Sequence, residues 1–189
     1  MSPDLATMEK GDGILLLDVQ NDFCPGGALP IPDGDAVVPV LNRWTEAACK
    51  KGVAVFASRD WHPLHHISFR EEGGQWPPHC LQDEPGAAFH PDLLMPAGTV
   101  KIAKGVRFDK DQYSVFNDTG LLWLIKRAGI RRLWVGGLAE DFCVLETVLD
   151  ARKIGLEICV IAAATRPITP DGGRQAITAM KKAGAIILE

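Results

Sequence analysis

The sequence predicts an α/β protein, three layers deep (α/β/α), built on a mostly parallel six-stranded sheet. Two observations predict it. Six short runs are apolar nearly throughout, as strands covered on both faces require. Stretches with helical periodicity separate several of them, and that alternation is the signature of an open α/β sheet with right-handed crossovers.

The elements follow in order. Residues 13–17 form a compact apolar run closed by Asp18. Residues 36–51 then place Val37, Val40, Leu41, Trp44 and Ala48 near one helical face, with Asp35 as the expected cap. Residues 53–57, rich in β-branched and aromatic side chains, predict the second strand, and residues 100–103 a weaker third. Residues 118–128 predict a helix carrying Leu121, Leu122 and Ile125 and stopping before Gly129. Residues 132–135 predict a strand that runs into Gly136 and Gly137, and residues 142–154 the helix behind it. Residues 156–162 and 185–188 complete the strands. Between them Thr169-Pro170 opens a last helix, the proline at a tolerated first-turn position, and Gly184 ends it.

Residues 59–98 break the rhythm: prolines, glycines and the chain's histidines crowd there without periodicity. So long a loop in a compact domain is functional or disordered. Trp61, Phe69, Trp76 and Phe89 argue against disorder.

Composition narrows the function. The 189 residues, 47% hydrophobic and 23% charged, suit one well-buried domain, expected over residues 12–189 behind a tail at 1–11. A net charge of −4 with no basic stripe speaks against nucleic acid as a partner. No apolar run nears the roughly 20 residues that span a bilayer. Five cysteines, an odd number with no C-x-x-C pair and no apolar leader ahead of them, predict free thiols in the cytoplasm. A small-molecule substrate is expected, and a homo-oligomer stays open.

Ligands in such a fold bind beyond the carboxyl ends of the strands. Those ends deliver Asp18, then Asp60 with the histidines that follow, then Lys104, then Cys143 through a glycine-rich turn. Asp60, His62, His66 and His79 combine carboxylate oxygen with imidazole nitrogen, a donor set for one divalent ion such as zinc, iron or manganese. A lone loop histidine is ordinarily solvated; several beside a strand-end carboxylate shift the balance to a metal. His65 and His90 are read as surface or supporting residues. Cys143 starts a helix, where unpaired amides favour a thiolate and can hold an oxyanion. Cys49 and Cys159 are read as small buried hydrophobes, and Cys24 and Cys80 stay undecided. Taken singly, Asp18 and Lys104 are more simply a turn former and a solvated charge. Beside a cysteine they make a workable triad.

Five blocks in register then resemble one family: Asp18-Val19-Gln20-Asn21-Asp22-Phe23; Asp60-Trp61-His62-Pro63 with His66; Trp76-Pro77-Pro78-His79-Cys80; Lys104-Gly105 with Asp111-Gln112-Tyr113-Ser114; and Gly137 through Val144. They are similar to the nicotinamidase/pyrazinamidase branch of the isochorismatase-like hydrolases. The resemblance implies that fold, and a metal-dependent amidohydrolase that converts nicotinamide to nicotinate and ammonia through a cysteine thioester. It implies a triad of Asp18, Lys104 and Cys143. It also implies zinc, iron or manganese on Asp60, His62 and His79, with His66 ligating in some members. A cis Leu138–Ala139 bond, an oxyanion hole of the Ala139 and Cys143 amides, and a pocket with Phe23, Trp76, Tyr113 and Leu138 complete what it implies. Glu140 and Phe142 depart from the family pattern beside the nucleophile. The rivals are another isochorismatase-like hydrolase, acting on a different amide, N-carbamoyl compound or isochorismate, and a non-catalytic module with a structural metal. A redox-thiol role lacks a resolving cysteine.

Overall fold

In the computed structural model, which describes residues 5–189, six strands form one sheet: β1 (Gly13–Leu17), β2 (Ala54–Asp60), β3 (Val100–Lys104), β4 (Arg132–Leu138), β5 (Glu157–Arg166) and β6 (Ile186–Leu188). Their order is β3-β2-β1-β4-β5-β6, and every pair is parallel. The strands of β1 and β4 read as unbroken apolar runs because both faces are covered. On one face α1 (Val37–Lys51) contributes Val37, Leu41 and Ala48 to a core shared with Ile14, Leu16 and Trp134. On the other, α2 (Leu121–Arg127), α3 (Leu145–Lys153) and α4 (Pro170–Lys182) supply Ile125, Val148 and Met180 against Leu15, Leu17 and Val135. Successive residues of one strand thus enter opposite cores, as the pleat requires.

Boundaries moved where local chemistry differed from the pattern. β2, β4 and β5 run past their apolar stretches to Asp60, Leu138 and Arg166. Parallel pairing continues there, because backbone hydrogen bonds do not depend on side-chain polarity. Asp35 makes no cap bond to α1; a short 3₁₀ turn, Gly34–Ala36, leads in instead. Gly120 in the left-handed region delays the start of α2 to Leu121. Thr169 does cap α4, its hydroxyl accepting from Gly172 N–H at 3.0 Å. Of the segment read as a tail, residues 1–4 lie outside the described residues. From Leu5 onward it packs on the body: Met8 is 1% exposed, and Arg132 binds the buried Asp12 at 2.7 Å.

Candidate active site

The order β3-β2-β1-β4 brings the ends of four neighbouring strands side by side. In register, Asp60 sits opposite Lys104, and Leu17 opposite both Ser58 and Gly137. Asp18 leaves β1 with φ of 51°, a left-handed turn that a non-glycine residue rarely takes. Its amide is held by Ser58 O at 3.1 Å and its Oδ1 by Ser58 Oγ at 2.6 Å. Gly137, at φ 135°, passes so close to the Leu17 backbone that a Cβ would overlap it, which lets β4 lie against β1 at this rim. The Leu138–Ala139 peptide bond is cis, as the resemblance implies. The chain then takes a five-residue π-helical turn, Glu140–Val144, which carries Cys143 at the head of α3. The predicted helix start at 142 falls inside that turn.

Lys104 is the hub. It is completely buried, with its Nζ 2.5 Å from Asp60 Oδ1, 3.0 Å from Asp18 Oδ2 and 3.3 Å from Cys143 Sγ, and it donates to Gln112 O at 3.2 Å. Acceptor atoms of Asp18, Asp60 and Cys143 all lie within 4.8 Å of one another. Such a trio would attract a cation, and the ammonium already fills that place. Asp18 Oδ2, though ion-paired, makes no well-aligned hydrogen bond, which leaves it able to accept a proton. Burial pushes the Asp18 carboxyl above its ordinary value, with Lys104 opposing the rise. Burial pushes the Cys143 thiol well up as well, again against Lys104. Burial alone would lower the Lys104 ammonium, but Asp18, Asp60 and Cys143 hold it well above its ordinary value. These shifts favour a protonated thiol and a charged ammonium, and they make the Asp18 carboxylate a stronger base than an ordinary one.

Next to this hub, Asp60, His62 and His79 bring one donor atom each within 4.8 Å of one another, all three buried. His62 Nδ1 bonds Gly105 O at 2.9 Å, and His79 Nδ1 bonds Pro77 O at 2.8 Å. A carbonyl only accepts, so each Nδ1 carries a proton, and in the neutral ring each Nε2 keeps its lone pair. Gly105, at φ 63°, lies against the His62 ring, where any Cβ would overlap the imidazole. The donor set, its burial and its tautomers fit a divalent metal. His66 stacks on His62 at 4.2 Å between ring centroids. Both its nitrogens are engaged, however, Nδ1 with Ser68 Oγ at 2.7 Å and Nε2 with Lys110 O at 3.1 Å. The structure thus groups three of the four expected ligands and sets His66 beside them.

A cavity opens over Cys143 and the trio. Phe23, Trp76 and Tyr113 line it, together with Ala139. Leu138 does not: its side chain is fully buried in the core on the α1 face. His65 is exposed and pairs with Glu72. Cys49 is exposed rather than buried, since its place on α1 faces away from the sheet, whereas Cys24, Cys80 and Cys159 are buried.

Several working residues escaped the sequence reading. Gln20 accepts from Asp60 N–H at 2.7 Å and donates to Asp60 O at 2.8 Å, so its side chain pairs with that backbone much as a neighbouring strand would. Asp22 Oδ2 accepts from Cys80 N–H at 2.7 Å and steadies the His79 segment. Gln112 Oε1 accepts from Gly105 N–H at 2.9 Å. Buried glutamines inside motif blocks were the available signal. For Ile168, a further wall of the cavity, the sequence offered none.

Comparison with known proteins agrees with this fold. The model of the Isochorismatase domain matches residues 12–189. Nicotinamidase of Escherichia coli is 39% identical, over 92% of this chain and 92% of its own length. Pyrazinamidase of Pyrococcus horikoshii, solved in complex with zinc, superposes with a TM-score of 0.92 at 40% identity, covering 95% of this chain and 99% of that one. PnC1 from L. infantum, solved in complex with nicotinate, gives a TM-score of 0.86 at 32% identity, covering 100% and 96%.

Proposed function

The chain belongs to the isochorismatase-domain family, and from that premise we infer that it hydrolyses nicotinamide to nicotinate and ammonia, and takes pyrazinamide as well. One observation carries the chemistry: a buried acid and a thiol from separate strand ends each lie within bonding reach of the Lys104 ammonium, and the thiol shares a cavity wall with a three-donor metal site. A structural-metal module would have no use for the first group.

The pyridine or pyrazine ring lies between Phe23 and Trp76. Asp18 takes the proton of Cys143, and the thiolate attacks the carboxamide carbon. The amides of Ala139 and Cys143 hold the resulting oxyanion, each such donor being worth about 3 kcal/mol. On collapse the C–N bond breaks, and Asp18 gives its proton to the departing ammonia. Asp18 then deprotonates the water that attacks the thioester, and the proton returns to the sulfur as nicotinate leaves. Lys104 stays charged throughout and stabilises thiolate and carboxylate in turn. Asp60, His62 and His79 would hold the metal, and when bound it supplies a Lewis acid for the ring nitrogen. We assign zinc from the donor set and from the zinc-bound relative. The free thiols fit a reducing compartment such as the cytoplasm.

The test is a coupled assay of ammonia release from nicotinamide, with and without prior chelation. Cys143→Ala is expected to leave the fold intact and remove turnover; near-wild-type turnover in that variant ends the thioester reading. Chelation is expected to raise the Michaelis constant. An unchanged constant in demonstrably metal-free protein removes the metal from substrate binding.

A further inference from the structure

Phe142, which the mechanism leaves unused, lies beside Cys143 and is half-buried, as are Trp76, Tyr113 and Ile168 around the same cavity. Its ring meets Trp76 edge-on at 5.0 Å between centroids and tilts against Tyr113 at 5.6 Å. Those neighbours are themselves fixed: Tyr113 Oη accepts from Trp76 Nε1 at 3.0 Å and from Gln75 Nε2 at 2.9 Å. The cavity on the Cys143 side is only about 30 Å³. On the other side lies a groove of about 500 Å³, running along α4 past Leu145, Ala176 and Ala179. Trp76, Phe142 and Ile168 line both spaces.

Each of the three shared residues is anchored differently. Trp76 is tied by Tyr113. Ile168 is tied by its N–H to Asp141 Oδ1 at 2.9 Å, which fastens the segment before α4 to the turn that bears Cys143. Phe142 packs through its ring against Trp76, Tyr113 and the core on the α1 face, so a substitution there removes wall without removing side-chain hydrogen bonds. The outer groove is chiefly apolar; Asp141, Thr169 and Gln175 are its polar lining, and both Asp141 oxygens already accept from backbone, from Ile168 N–H at 2.9 Å and Thr169 N–H at 3.3 Å. An apolar extension of a substrate would be desolvated along it without burying an unpaired polar group.

We propose that Phe142 is the specificity-determining residue that confines this site to single-ring amides. Its side chain is the partition between the reaction cavity and an apolar groove able to take a second ring. The proposal rests on the amidohydrolase reading above for the nature of the substrate. A pocket that discriminates by apolar bulk alone typically separates substrates by ten- to two-hundredfold per methylene. A phenyl group turned away by a wall falls at or beyond that range.

The experiment compares nicotinamide with N-benzylnicotinamide and 5-phenylpyridine-3-carboxamide, which extend the substrate at its amide nitrogen and at its ring. The product acid is measured by chromatography in the wild-type protein, Phe142→Leu and Phe142→Ala. The ratio of kcat/KM for an extended amide to that for nicotinamide is expected to rise at least tenfold in Phe142→Ala, with Phe142→Leu between. A ratio unchanged within twofold for both probes, in variants with wild-type circular dichroism, overturns the proposal. Binding to Cys143→Ala and to Cys143→Ala/Phe142→Ala is measured in parallel by calorimetry, where an extended probe is expected to bind the double variant at least tenfold more tightly. Equal binding also overturns it. If the wild-type protein fails to turn over nicotinamide, the reading of function falls, while the calorimetric comparison still decides the role of Phe142.

Discussion

Replacing Lys104 by methionine removes one charge and keeps most of the side-chain volume. The structure sets the scale of the effect. The Nζ lies 2.5 Å from Asp60 and 3.0 Å from Asp18, and the lysine has no exposed surface. Two carboxylates, each buried, would face one another across an apolar methyl group with water excluded. Breaking a buried ion pair by removing one partner costs about 3–5 kcal/mol, since the remaining charge is left uncompensated. Here two charges lose one shared partner, so the upper part of that range is expected in urea unfolding, read against a total stability of about 5–15 kcal/mol. Turnover should fall further than stability alone explains. Lys104 is 3.3 Å from Cys143 Sγ, and a group that stabilises charge developing in the reaction is worth roughly 10²–10³ in kcat. Both quantities are measured on the same preparation, with circular dichroism to report folding. A Lys104→Met protein within about 1 kcal/mol of wild type, or one that keeps its kcat, would refute the assignment of the ammonium as the counter-charge of this cluster.

Two further substitutions test the surroundings. Gln20→Ala deletes both side-chain bonds to the Asp60 backbone and a third to Ala87 O at 3.0 Å. Each buried polar group left unsatisfied costs about 1–3 kcal/mol. Metal affinity should drop about 10–100-fold, as when support behind a ligand is lost; calorimetric zinc titration showing wild-type affinity would contradict this. Glu140, 7% exposed and hydrogen-bonded by the Thr165 hydroxyl, has its carboxyl raised by burial, with Asp141 adding to the rise. A raised folded value means that the stabilising contribution is complete below the unfolded carboxylate range near 4.3–4.5 and is lost as pH climbs through the folded value. Glu140→Gln should therefore gain stability over wild type as pH rises from about 4.5 to 7.5. Urea midpoints that keep a constant separation across that interval would show that Glu140 ionises freely in the fold.

Much of this was legible in the chain because strands in a doubly covered sheet must be apolar, and the polar residue that ends each run must therefore be outside the core or at work. That logic located Asp18 and Lys104 at their strand ends and put Asp60 just past its apolar run. It failed where a side chain acts as backbone. Gln20 carries no catalytic chemistry and sits in no periodic pattern, yet its amide continues the pairing of β1 with β2 after Asp18 has turned away. Periodicity also could not reveal the π-helical turn at Glu140–Val144, whose extra residue per turn shifts the phase of everything before α3. The same turn separates neighbours that look equivalent in sequence. It buries Cys143 against Lys104 and leaves Phe142 half-exposed at the partition between cavity and groove. A regular helix starting at 142 would also separate consecutive side chains by about 100°. It would not, however, leave the Ala139 carbonyl accepting from both Phe142 N–H at 3.2 Å and Val144 N–H at 3.0 Å. That shared carbonyl fixes the wide turn at the point where Cys143 must leave the sheet and face the cavity.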